Sequence, residues 1–387
     1  MQAHTKVTRP VRGLEFRWAQ FRIAVRLFRL AIGWYGHLPS AVKAVKALLA
    51  HGKKVALGRP LAKGFEAGGR YGWDAFNPLW PSPGFDRFME RHLEEVFPSA
   101  QPRPFMRRML VALTKKCPLN CEHCSEGPSL NQRDILTRTE LEQHIGQWVG
   151  QGVAHIVYSG GEPLSRWDDL IYLAETFRDR CSQWVFTSGW GLTPEKAARL
   201  RAAGIDGVAI SLDHFDEAAH NRFRRNPKAF DWARKAVEAC KGAGLVTTVN
   251  LCPTHDFLAG EPMHTYMQLM KNWQVDVVNI IEPRAAGYYD GKPEVELSED
   301  EKTALQVIAD RFNLDPAYRD YPLLTYHGAA RKLLRCGGGV SYLFLDYDGT
   351  VYPCPFCRKP LEAFGGNKEA ACQAARNLEL VTASVPS

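Results

Sequence analysis

The sequence predicts an α/β fold: a partial, open (β/α)6 barrel of the TIM type, preceded by a helical, basic region and followed by a small cysteine-rich extension. Three observations predict it. From Met109 onward, short β-branched runs alternate with helical ones at the spacing of repeated βα units, which implies a parallel sheet with right-handed crossovers. The first 54 residues hold eleven Lys and Arg against Glu15 alone, a net of +10 that leaves −3 for the rest of a chain whose total is +7. Three of the ten cysteines fall within eight residues, and another pair, Cys354 and Cys357, closes a second cluster. With 387 residues, 45% hydrophobic and 24% charged, the chain can bury a sizeable core, and its composition excludes disordered and fibrous classes.

The first region spans residues 1–104. At about 100° per residue, Leu14, Phe21, Val25, Phe28 and Ile32 share one helical face, with Arg22, Arg26 and Arg29 on the adjoining one. A basic amphipathic helix over residues 12–32 either packs on the protein's own core or meets an anionic membrane surface or an acidic partner. No zinc-finger, helix-turn-helix or RNP-type pattern points to sequence-specific nucleic-acid binding. Arg17, Arg22, Arg26 and Arg29 interrupt any apolar signal-peptide core, and the uncharged stretch from Leu30 to Val42 falls short of the roughly 20 residues a membrane span needs. The expectation is a cytoplasmic protein, with peripheral contact at the inner membrane face through residues 12–32. Residues 58–104 are rich in Gly, Pro and aromatics and read as an irregular wrap with one helix from Gly84 to Val96.

The barrel is expected over residues 105–290. Its strands are Met109–Thr114, His155–Ser159, Trp184–Thr187, Gly207–Leu212, Val246–Leu251 and Asp276–Ile281. Helices at Arg138–Gly150, Pro194–Ala203, Phe230–Gly242 and Pro262–Trp273 lie between them. After Pro283 the alternation reads as ending, and residues 291–387 read as the appended domain.

Immediately after the first strand comes Cys117-Pro-Leu-Asn-Cys121-Glu-His-Cys124. In a reducing compartment such close spacing points to metal or redox chemistry more than to disulfides. Three thiolates leave a tetrahedral zinc one ligand short, whereas an iron-sulfur cubane held by three cysteines keeps one iron open. This CxxxCxxC loop after strand one of a partial βα barrel resembles that of the radical S-adenosylmethionine (SAM) enzymes. The resemblance implies a 4Fe–4S cluster on Cys117, Cys121 and Cys124 whose open iron binds SAM. It also implies reductive cleavage of SAM to a 5′-deoxyadenosyl radical that takes hydrogen from substrate. His123 matches the aromatic position whose backbone meets the adenine.

Ligands of parallel barrels gather at the C-terminal ends of the strands, and these ends are polar here. Strand two ends in Ser159-Gly160-Gly161-Glu162-Pro163, where glycines let backbone approach a ligand and a carboxylate can meet an ammonium group. Alone it would be a turn signal. Gly160, Gly161, Glu162 and Pro163 resemble the family's GGEP motif, which binds the methionine moiety of SAM. Strand three ends in Thr187-Ser188-Gly189 and strand four in Ser211-Leu212-Asp213. Ser188, Ser211 and Asp213 resemble the family's contacts to the ribose and carboxylate of SAM; otherwise Ser188 is a turn residue and Asp213 an N-cap. Asn250, Cys252, Glu282 and Arg284 stand at the remaining strand ends. Cys252 is either a hydrogen-atom donor to a product radical, as in some members of the family, or a packing thiol such as Cys181 and Cys240 are read to be.

Toward the C-terminus the order is Cys336, twelve residues, Gly349, four residues, then Cys354-Pro-Phe-Cys357. Asp348-Gly349 makes a hairpin turn within this segment. The pattern resembles the SPASM and twitch extensions of radical SAM enzymes, which hold auxiliary clusters. Since only Cys372 follows, the resemblance implies one auxiliary 4Fe–4S cluster, on Cys336, Cys354, Cys357 and Cys372; a zinc ribbon is the alternative. The expected activity is radical SAM modification of a peptide by crosslinking, epimerisation or oxidation, with a reducing donor such as flavodoxin or ferredoxin. A lipid or small-metabolite substrate at the membrane surface is a second reading. A third is an electron-transfer or zinc-stabilised binding protein that cleaves no SAM.

Overall fold

A computed structural model describes residues 8–357 apart from 102, 104, 105, 261, 329 and 331–336. In the N-terminal region, strands β1 (Arg9–Arg12), β2 (Lys63–Ala67) and β3 (Arg70–Gly72) form a small antiparallel sheet. Helices α1 (Gly13–Tyr35), α2 (Leu38–Val55) and α3 (Pro83–Val96) accompany it. Residues 58–104, read as an irregular wrap around one helix, thus contain β2 and β3 as well. Two strands of five and three residues joined by Gly68 and Gly69 give too short a periodic signal to stand out.

The six expected barrel strands are present in the expected order as successive parallel neighbours: β4 (Arg108–Ala112), β5 (His155–Ser159), β6 (Ser182–Thr187), β7 (Gly207–Ser211), β8 (Val246–Leu251) and β9 (Val277–Ile280). Every residue of β8 is buried, as expected of a strand covered on both faces. The crossovers carry α4 (Arg138–Gln151), α5 (Trp167–Phe177), α6 (Pro194–Ala203), α7 (Glu217–Arg224), α8 (Ala229–Gly242), α9 (His255–Leu258) and α10 (Met263–Asn272). Local sequence sets their ends. A Thr137–Glu140 capping box starts α4, Thr193 and Pro194 start α6, and Gly204 in the left-handed region stops it.

Among the described residues the sheet is nine strands wide and open, in the order β10-β9-β8-β7-β6-β5-β4-β11-β12. Its last members are β10 (Leu323–Thr325), β11 (Tyr342–Leu345) and β12 (Val351–Tyr352). The alternation therefore continues past Pro283: α11 (Glu299–Leu314), started by a Ser298–Glu301 capping box, leads into β10, which lies parallel beside β9. A strand of three residues escapes a pattern reading. The Asp348-Gly349 hairpin forms as expected between β11 and β12, and β11 also pairs in parallel with the free side of β4.

Phe65, Ala67, Ala75 and Leu79 of the N-terminal region cluster with Val157, Trp184, Val246, Val277 and Leu323. The last three open their strands, so this cluster covers the barrel end opposite the polar strand termini. The buried Lys63 ammonium fastens it by donating to the carbonyl oxygens of Phe312 (2.7 Å), Pro322 (3.1 Å) and Tyr321 (3.2 Å).

Helix α1 buries Phe16, Ala19, Ile23, Leu27, Leu30 and Ala31. Ile23, Leu27, Leu30 and Ala31 pack with Ala41, Ala44 and Leu48 of α2 and with Phe85 and Leu93 of α3. The face read from the sequence is a different one: Leu14, Phe21 and Ile32 are exposed, and Val25 and Phe28 are half-buried. The helix is apolar on two opposite sides. Among the described residues, no helix is long and apolar enough to cross a membrane.

Candidate functional site

Chain leaving β4 forms the cysteine loop at the C-terminal end of the sheet. Cys121 is buried, Cys117 and Cys124 are half-buried, and all three are free thiols. Burial pushes Cys117 up to about 12 and Cys124 to about 11. A bound cation must therefore displace protons from them. The loop is tied down on several sides. Cys117 N–H donates to Asn131 Oδ1 at 3.0 Å, Glu122 N–H to the Phe223 carbonyl at 3.0 Å, and Tyr288 N–H to the Cys124 carbonyl at 3.1 Å.

The turn after β5 packs directly on this loop. Gly161 and Glu162 N–H donate to the carbonyls of Thr114 and Lys116, each at 2.7 Å. A Cβ on either glycine would collide with those same carbonyls, and Gly160 has φ +126°, so only glycine fits the first position. Glu162 is buried, and four donors surround its carboxylate: Thr187 Oγ1 (2.7 Å) and Leu164 N (3.1 Å) on one oxygen, Ser188 Oγ (2.6 Å) and Ser188 N (2.9 Å) on the other. Burial nevertheless holds it above the ordinary carboxylate range. The expected residues Glu162 and Ser188 are thus brought together, each engaging the other, and Pro163 opens a short 3₁₀ turn beside them.

Past the end of β7, buried Asp213 receives Arg224 Nε on Oδ2 at 2.6 Å and Cys252 N–H on Oδ1 at 3.1 Å. Burial alone would raise this carboxyl; Arg224 holds it below its usual value. Arg224 Nη1 reaches Cys121 Sγ at 3.6 Å. His220 Nδ1 accepts the Asp213 N–H at 3.1 Å, which makes His220 neutral. His123, half-buried, stacks on Phe223 with ring centroids 4.6 Å apart. Asp213, Cys252, His123 and Cys121 therefore gather around Phe223 and Arg224 of α7. The sequence reading did not single out those two residues, which stand about a hundred positions from the cysteines. Ser211 ends β7 half-buried, and the buried Cys252 thiol is pushed up by desolvation.

At the other edge, Cys354 and Cys357 are buried and share an antiparallel bridge beside Tyr342, with Cys357 N–H donating to the Cys354 carbonyl at 3.2 Å. Cys336 and Cys372 lie outside the described residues. Lys115 links the two cysteine regions: its buried ammonium pairs with Glu126, just past the first loop, and with Asp346 at 2.7 Å, just past β11.

Three soft sulfur donors at the strand ends, beside a glycine cradle and under a guanidinium, fit an iron-sulfur cluster by their chemistry. Among the described residues, no three His, Cys, Asp or Glu converge closely enough for a single metal ion.

The family model described as Radical SAM superfamily matches residues 111–271. The chain is 24% identical over 296 residues to the AdoMet-dependent heme synthase of Nitratidesulfovibrio vulgaris, covering 65% of this chain and 74% of that one. It is 37% identical over 148 residues to the PqqA peptide cyclase of Streptomyces rochei, covering 37% of this chain and 39% of the cyclase. Streptococcus suis SuiB bound to the precursor peptide SuiA shares the fold with a TM-score of 0.54 at 13% identity, over 88% of this chain and 77% of SuiB. In SAM-bound SuiB the shared span is 65% of that chain. With the cysteine loop, the glycine turn and the parallel sheet in place, the matched segment, residues 111–271, is a radical SAM domain.

Proposed function

We propose that this enzyme modifies a peptide, by crosslinking, epimerisation or oxidation, after hydrogen-atom abstraction. The observation that carries the substrate class is the 37% identity to a peptide cyclase over 148 residues, supported by the fold shared with a structure solved on its precursor peptide. Cys117, Cys121 and Cys124 would hold the 4Fe–4S cluster. The chemistry that cluster and SAM supply when bound is reductive cleavage of SAM to a 5′-deoxyadenosyl radical.

The chain's own residues prepare that site. Gly160 and Gly161 keep backbone against the loop where any side chain would intrude, leaving room for the methionine end of SAM beside Glu162 and Pro163. Thr187 and Ser188 fix the Glu162 carboxylate so that it does not swing with the ligand. Ser188, Ser211, Asp213 and the backbone of His123 are assigned to the remaining SAM contacts. Arg224 sets a positive charge 3.6 Å from Cys121 Sγ. Cys252, held against Asp213 through its backbone, is assigned as the hydrogen donor to the product radical. Cys336, Cys354, Cys357 and Cys372 are assigned to one auxiliary 4Fe–4S cluster, and a flavodoxin or ferredoxin to electron supply.

The test is anaerobic reconstitution with iron and sulfide, followed by measurement of 5′-deoxyadenosine with and without cysteine-containing peptides. Peptide-dependent 5′-deoxyadenosine together with a mass change in the peptide is the expected result, and Cys124→Ala should abolish both. SAM cleavage that no peptide stimulates would turn the assignment to a lipid or small metabolite. The heme synthase match, which spans more of the chain than the peptide cyclase match, favours that second reading. Iron without any SAM cleavage would overturn both.

A further inference from the structure

We propose that α1 docks this protein on an anionic membrane surface, with its outward apolar stripe in the interface and its arginines on lipid phosphates. The proposal is independent of the substrate assignment. Leu14, Trp18, Phe21, Val25, Phe28 and Ile32 recur in alternating steps of four and three, which places them on one side of the helix. The opposite side, through Ile23, Leu27 and Leu30, is already buried against α2 and α3. Leu14 is 84% exposed, Trp18 60% and Phe21 57%, and the Trp18 and Phe21 rings stack with centroids 5.5 Å apart. Scattered exposed apolar residues need no explanation, but an aromatic stripe along a whole helix is a recognition surface.

Its charges select the occupant. Arg17 flanks the stripe on one side and Arg22 and Arg29 on the other, all exposed. Arg26, the remaining arginine of the helix, is taken by Asp86. The helix's one acidic residue, Glu15, is bonded by Arg9, so it offers no free negative charge to repel an anionic layer. The following helix adds exposed Leu38 and Leu49 with exposed Lys43, Lys46, Lys53 and Lys54. A groove in a protein partner would have to be apolar along its floor and acidic along both rims for about 34 Å, the length of a helix of this size. An anionic bilayer presents that combination everywhere on its surface.

The experiment is co-sedimentation of the full chain with phosphatidylcholine vesicles and with vesicles containing about one third phosphatidylglycerol. The expected result is binding to the anionic vesicles alone, weakened about tenfold or more when salt is raised to about 0.5 M. Two separate double variants, Trp18→Ser with Phe21→Ser and Arg17→Glu with Arg29→Glu, should each weaken it as strongly. All four side chains are exposed, so circular dichroism and the urea midpoint should stay at wild-type values. Failure of the wild-type chain to bind anionic vesicles, or binding that survives both variants, overturns the proposal. So does a dimer that the Trp18→Ser, Phe21→Ser variant converts to monomer in the absence of any vesicle binding, because the stripe would then belong to a second copy of this chain.

Discussion

At position 213 a carboxylate and a guanidinium share a space from which water is excluded, and each is tolerable there only because of the other. Asp213→Ala would leave Arg224 buried beside Cys121 with no counter-charge. The expected loss is about 3–5 kcal/mol of stability, read as a lower urea midpoint of the metal-free chain. Replacing both by Leu and Met should recover much of it. Acid should act on two buried histidines, His220 beside Asp213 and His155 at the start of β5. Burial pushes His155 and His220 down to about 3. Between pH 6.5 and about 3 the unfolded chain binds protons that the folded chain refuses, so stability falls as pH falls through this window and is fully present above 6.5. Each histidine contributes a slope of about 1.4 kcal/mol per pH unit. His155→Leu should remove one such slope in urea titrations at pH 7 and pH 5. At this scale the placing of Cys117, Cys121, Cys124, Gly160, Gly161 and Glu162 at adjacent strand ends was legible because their spacing is local. Phe223 and Arg224 were not, since only the folded chain brings α7 onto the cysteine loop.

Among elements, the turn after β5 is the one whose sequence and geometry agree most closely. Its two glycines face carbonyls of the loop after β4 with no space for a methyl group. Gly161→Ala should push the two loops apart, costing about 1–3 kcal/mol by overpacking. Equilibrium dialysis should show weaker SAM binding at the same time; undiminished SAM affinity would remove this turn from the proposed site. Strands β4 to β9 were readable to within about two residues because each is a short apolar run set off from helical stretches. β2, β3 and β10 were not: β3 and β10 have only three residues each, and β2 (Lys63–Ala67) carries no β-branched residue. α1 was legible as a helix with an apolar, arginine-flanked stripe. That a second apolar side faces α2 and α3 depends on what packs against it, and no single-helix pattern carries that.

Taken as a whole, the molecule sets two cysteine regions on one sheet, after β4 and after the edge strand β12, and joins them through Lys115. If the C-terminal thiols hold their own cluster, the reconstituted chain should contain about four more irons than a Cys354→Ser, Cys357→Ser variant, which should still cleave SAM. Equal iron in the two would leave those thiols to zinc. The pairing of β11 with β4 also constrains how the chain is made. The strand that leads into the first cysteine loop has one neighbour, β5, early in synthesis, and its other edge waits for residues 342–345. At ribosomal speeds of about 5–20 residues per second, roughly 10–40 s separate the two events. During that interval an unpaired edge beside three free thiols stands open to other strands and to oxidation. A nascent chain stalled before Tyr342 should therefore aggregate or crosslink where the finished one does not, and the cell's iron-sulfur assembly machinery would meet the loop while one flank of its strand is still bare.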